Sequence, residues 1–114
     1  MCNGNLPDAD RPKKRIGKRI QKLQGLAKAL HCPTRWDIID IIGPGTAKTR
    51  EIRKGLEEKG YELAQSGLYY HLSELRNAGL IEVSDYVEEG KGAPEKVWKL
   101  TREKIEIDLV GSED

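Results

Sequence analysis

Gln65, Ser66, Tyr69 and Tyr70 are the side chains of this sequence best suited to reading another molecule. Within LAQSGLYYHLSELRNAGLIE (63–82), Leu68, Leu72 and Leu75 recur at the i, i+4, i+7 spacing of one helix face. The opposite side must look outward. Near its start it carries an amide, a hydroxyl and two phenols, where an ordinary solvated helix carries Glu and Lys. Such groups hydrogen-bond and stack against base edges: Gln pairs bidentately with adenine N6 and N7, and Ser donates or accepts. Tyr69 can meet a thymine methyl or a phosphate. Tyr70 can do the same or pack against a neighbouring strand. Ser73, Arg76 and Asn77 continue the outer side and suit phosphates. His71 falls near the leucine face and reads as a hydrogen-bonded structural histidine.

Charge points the same way. The net charge of +1 hides an asymmetry, with 13 Lys/Arg against 5 Asp/Glu in residues 1–54 and 7 against 14 in residues 55–114. Between Arg11 and Lys22 stand seven basic side chains and no acid. A concentrated basic block attracts phosphate, because each neutralised phosphate releases condensed counterions; the plainer reading is a solvated helix face. Lys48, Thr49 and Arg50 open a helix whose backbone N–H groups and dipole favour a phosphate. Lys91, between Gly90 and Gly92, can reach a groove or a phosphate, although Glu88 and Glu89 beside it repel the same target.

Other chemistries find little support. Gly43-Pro-Gly-Thr-Ala-Lys-Thr49 has Ala47 where a phosphate-binding loop needs Gly before its Lys, and IIDII ahead of it reads as helix, not strand. Cys2 and Cys32 lie in no CxxC arrangement, so the sequence predicts no metal site, no cofactor and no catalysis, with Cys32 a buried thiol at a helix junction. That cysteine usage fits a reducing compartment. No apolar run approaches the roughly 18–20 residues needed to span a bilayer, and the reading is a soluble, cytoplasmic chain without membrane contact.

The elements that must position these residues follow from periodicity. Residues 1–12 read as a disordered tail and 111–114 as a second tail, leaving one domain over 13–110. An amphipathic helix is expected over about 13–30, with Ile16, Ile20, Leu23, Ala27 and Leu30 as its stripe and Leu26 beside it. Thr34 and Asp37 suggest a capping box for a second helix, about 34–42, that should be buried on most sides. A third helix runs over about 49–59, with Ile52 and Leu56 inward and Gly60 as its stop. The fourth covers 65–78 and stops at Gly79. IEVSDYV (81–87) and EKVWKLT (95–101) alternate like strands around a turn-rich tip, EGKGAP. KIEIDLV (104–110) is ambiguous between strand and helix.

Helices followed by a hairpin, with a helix-turn-helix just before it, predict an α+β, mainly α, winged helix-turn-helix domain with a two-stranded β-hairpin wing. Residues 26–101 resemble the ArsR-like winged helix-turn-helix transcriptional regulators. LAKALHCPTRWDIIDII resembles the family's opening L-x-x-A-L-x-x-P-x-R-x-x-I-L, with Pro33 and Arg35 matching and Ile39 at the aliphatic position. LAQSGLYYHLSELRNAGLIE is similar to L-S-Q-S-T-V-S-R-H-L-x-x-L-x-x-A-G-L-V, with Gln65, Ser66, His71, Leu72, Leu75, Ala78, Gly79 and Leu80 in register. Ala64 replaces the family's Ser cap, and the Tyr69–Tyr70 pair looks like that of divergent, archaeal-type members. The Cys-rich motif of metal-sensing members is absent. The resemblance implies a homodimeric repressor that binds double-stranded DNA, pairs through Ile16, Ile20, Leu23, Ala27 and Leu30, and has no defined effector. The alternative is a winged-helix protein-interaction module without base readout.

Overall fold

Apolar residues at helical spacing, punctuated by Pro33 and by glycines, produce the four helices of the computed structural model: α1 (Lys18–Ala29), α2 (Pro33–Ile42), α3 (Thr49–Glu58) and α4 (Gln65–Asn77). Three strands complete it: β1 (Thr46–Lys48), β2 (Ile81–Val87) and β3 (Glu95–Leu100). The structure describes residues 18–88, 90, 92–107 and 109–110, without the side chains of residues 18 and 19.

α3 and α4 close in the same way. Gly60 (φ 98°) and Gly79 (φ 79°) sit in the left-handed region that other residues enter at a steric cost. Tyr61 N–H donates to Leu56 O at 3.0 Å, and Leu80 N–H donates to Leu75 O at 3.0 Å. Each is the long bond of a Schellman closure, which satisfies terminal carbonyls and turns the chain sharply. Tyr61 then ties the turn between α3 and α4 back to α2, its phenol donating to Asp37 Oδ2. That bond, ahead of desolvation, raises the Tyr61 pKa above its ordinary 10.0. The result is a helix-turn-helix braced against α2.

The sheet has the order β1-β3-β2, with both pairings antiparallel. β2 and β3 form the predicted hairpin, with an irregularity between Val83 and Asp85. Beneath the helices and sheet lies one aliphatic core, including Leu26, Ile38, Ile52, Leu56, Leu68, Leu72, Leu75 and Ile81, closed at the sheet by Trp98. No described helix is long and apolar enough to cross a membrane.

Several expectations change. The described first helix is Lys18–Ala29, and residues 13–17 of the predicted 13–30 span lie outside the described residues. The wing is part of a three-stranded sheet, because Thr46–Lys48 pairs with β3 (Ala47↔Trp98) just before α3 begins. A three-residue strand has too little alternation to be seen in sequence. Thr34 caps nothing: α2 starts one residue earlier, with Pro33 in its first turn and Cys32 at the N-cap. Cys32 is buried but disulfide-bonded, not a thiol, so cysteine usage no longer argues for a reducing compartment. α2 is buried or half-buried on most sides, as expected, and exposed along one stripe, where Trp36 is 51% exposed and donates its indole N–H to Leu30 O at 2.9 Å. The described part of 102–110 is neither helix nor strand. Thr101, just before it, closes onto the end of α4, its hydroxyl donating to Gly79 O.

Candidate nucleic-acid interface

α4 is presented as its periodicity requires. Leu68, Leu72 and Leu75 are at most 1% exposed, and they anchor the helix on the core. Gln65, Ser66, Tyr69, Tyr70, Ser73, Arg76 and Asn77 are all exposed. Tyr69 and Tyr70 keep 39% and 49% of their surface, which is high for aromatic side chains on a helix seated against a core. No side chain caps the start of α4, where Ala64 stands, and its first turn holds no acid. The positive end of this helix therefore faces outward beside Gln65 and Ser66.

The start of α3 is arranged differently. Glu51 accepts from Lys48 N–H at 2.8 Å, and Glu95, from the first position of β3, accepts from Arg50 N–H at 2.7 Å. The Arg50 guanidinium also lies 3.6 Å from Glu95. Two carboxylates of the chain itself thus satisfy the amides that the sequence offered to a phosphate. Thr49 is a clear correction: its hydroxyl points inward, accepting from Trp98 Nε1–H at 2.9 Å and donating to Lys96 O at 3.3 Å. It ties α3 to the wing. Glu51 was visible three residues after Lys48 as a capping signal; Glu95 was not, because 45 residues separate it from Arg50.

Beneath α4 lies a residue that sequence chemistry passed over except as a family match. Arg35 is 1% exposed. Its Nε donates to His71 Nδ1 at 3.1 Å and its Nη1 donates to Ala29 O at 3.1 Å, while Nη2 is buried without a partner. Its guanidinium carbon stands 5.6 Å from the centroid of the Tyr70 ring, close enough for a cation–π contact. Tyr70 therefore leans on α2, not on the wing. His71 is the structural histidine expected, buried and hydrogen-bonded; burial, then the Arg35 charge, hold its pKa below the ordinary 6.5, against a smaller opposing pull from Glu74.

The other expected contacts divide. Lys91 and Ile16 lie outside the described residues, as do Arg11 to Arg15 and the side chains of Lys18 and Arg19. On α1, Ile20 (46%) and Leu23 (40%) are exposed and Ala27 shares that outward face. Leu26 and Ala29 turn inward, and Leu30 packs against the chain's own core, so the predicted stripe is split between two faces. Among the described residues no group of three or more His, Cys, Asp or Glu side chains could hold a metal ion.

Helix, strand, two helices and a hairpin whose second strand pairs with the first strand define a winged helix-turn-helix module. No family model and no curated protein matches the chain. Among solved structures it is similar to the crystal structure of the Vibrio cholerae ferric uptake regulator (Fur), at 19% identity and a TM-score of 0.47. The match covers 63% of this chain and 53% of that one, so the chain spans about half of that regulator's length. The class rests on the topology.

Proposed function

We propose that this protein is a sequence-specific DNA-binding transcriptional regulator of the ArsR-like kind, working as a homodimer and without catalysis. The observation that carries this is the uncapped, acid-free start of α4, which projects Gln65, Ser66, Tyr69 and Tyr70 from a rigid helix-turn-helix. An α-helix presented this way fits the major groove, where its N-terminal residues meet base edges. Ser73 and Arg76 serve phosphates along the same side, with Lys48 and Arg50 flanking from the start of α3. The outward face of α1, with Ile20 and Leu23, supplies the dimer contact. One recognition helix reads only a few base pairs, and a second copy about one helical turn away (~34 Å) doubles the site. Occupying an operator, such a dimer blocks or recruits the polymerase.

Selection of bound duplexes from a random-sequence library, at two salt concentrations, tests the reading. The expected result is a palindromic consensus. Gln65→Ala relaxes preference at one position in each half-site and costs about 1–3 kcal/mol there. Salt-sensitive binding with no sequence preference would overturn it and favour a protein-interaction module.

A further inference from the structure

The Arg35 cluster links three helices. Arg35 belongs to α2, takes the last carbonyl of α1 through Nη1, grips His71 of α4 through Nε, and lies under the ring of Tyr70. Among the described residues no carboxylate pairs with it, and one of its buried nitrogens has no acceptor. A buried cation with an incomplete set of acceptors depends strongly on those it has. The Tyr70 and His71 rings lie 5.7 Å apart at 58°, so the two contacts form one packed unit.

We infer that Arg35 is a positioning residue for the reading face of α4, and that protonation of His71 releases its hold. This rests on the DNA-reading function proposed above. Arg35 Nε–H uses the Nδ1 lone pair, so the neutral imidazole carries its proton on Nε2. A proton arriving on Nδ1 removes that acceptor, turns it into a donor facing another donor, and places a second positive charge beside Arg35. The charged groups bearing on His71 are Arg35 from α2 and Glu74 from α4 itself, and burial adds to the Arg35 effect. With the folded pKa below the unfolded one, the arrangement is intact above the ordinary histidine range and is lost as pH falls through the folded value. Tyr70 then loses the support that orients its ring at the surface, and preference for the cognate sequence falls first.

The full chain is titrated by fluorescence anisotropy with the selected duplex and with a scrambled one, from about pH 8 to 5.5. The wild type should lose about tenfold in affinity for the selected duplex, the scale of one charge-assisted hydrogen bond, and far less for the scrambled one. His71→Asn keeps an acceptor near the Nδ1 position but does not titrate, so its profile should be flat. Arg35→Lys keeps the charge without the fork and should weaken selected-duplex binding about tenfold at every pH. Should Arg35→Lys fail to fold, imidazole 15N and Tyr70 ring shifts of the wild type without DNA decide: Tyr70 must move with the His71 midpoint. Parallel pH profiles for wild type and His71→Asn, or Tyr70 signals indifferent to His71, would overturn the inference. Absence of any sequence preference at pH 8 would instead sink the DNA-reading function, and the NMR titration would still judge the linkage.

Discussion

Replacing Thr49 with Val separates two assignments for one hydroxyl. If Thr49 contacts a phosphate, Thr49→Val weakens binding to all duplexes alike, leaves the salt slope unchanged because the lost group is neutral, and has little effect on folding. The structure predicts the reverse. Val fills nearly the same volume, so no cavity opens, yet the Trp98 indole N–H at 2.9 Å loses its acceptor in a site where Trp98 is 2% exposed. An orphaned buried donor costs about 1–3 kcal/mol. The bond to Lys96 O, at 3.3 Å, is long and adds little. A central value of about 2 kcal/mol corresponds to a melting temperature lower by roughly 8–16 °C for a domain of this size. Thr49→Ser keeps the hydroxyl and should recover most of the loss. Thermal and urea melts measure the stability, and the affinity for several unrelated duplexes measures the phosphate contact. A Thr49→Val protein that melts within about 2 °C of wild type but binds all duplexes more weakly would refute the inward assignment.

Two further substitutions test α1. Leu23→Glu places a charge on the outward apolar face beside Ile20, so light scattering should show the mass falling from a dimer to the 12.8 kDa monomer. Affinity for a palindromic duplex should fall by at least about tenfold with it; a variant that stays dimeric removes this face from the interface. Gly25→Ala adds a methyl group that meets nothing within 4 Å on an exposed helix position. It should stabilise by about 0.5–1 kcal/mol through helix propensity, and an unchanged melting temperature would mean that α1 does not unfold with the rest.

Much of the scaffold was legible because its signals are local. Leu68, Leu72 and Leu75 share a face through helical geometry alone, and that same geometry turned Gln65, Ser66 and Tyr69 outward. Gly60 and Gly79 marked helix ends because only a residue without a Cβ takes a positive φ cheaply. Less legible was what each face meets. The α1 stripe reads as one surface in sequence, but Leu30 packs against the core while Ile20, Leu23 and Ala27 face outward. Trp36 belongs to a helix expected to be buried on most sides, yet it stands on the exposed stripe with its indole N–H bonded to Leu30 O.

The sequence by itself determined four helices, a hairpin and an α4 whose outer side begins with uncharged, hydrogen-bonding groups. Periodicity and turn chemistry act over a few residues, and they suffice for that. Only the tertiary structure decided that β1 joins the sheet, that Glu95 crosses 45 positions to Arg50, and that Thr49 serves Trp98. It also put Arg35 beneath Tyr70 and His71, across 36 positions from its histidine partner. Such pairings arise when distant segments pack and their buried polar groups must find one another, and no local spacing encodes which will meet.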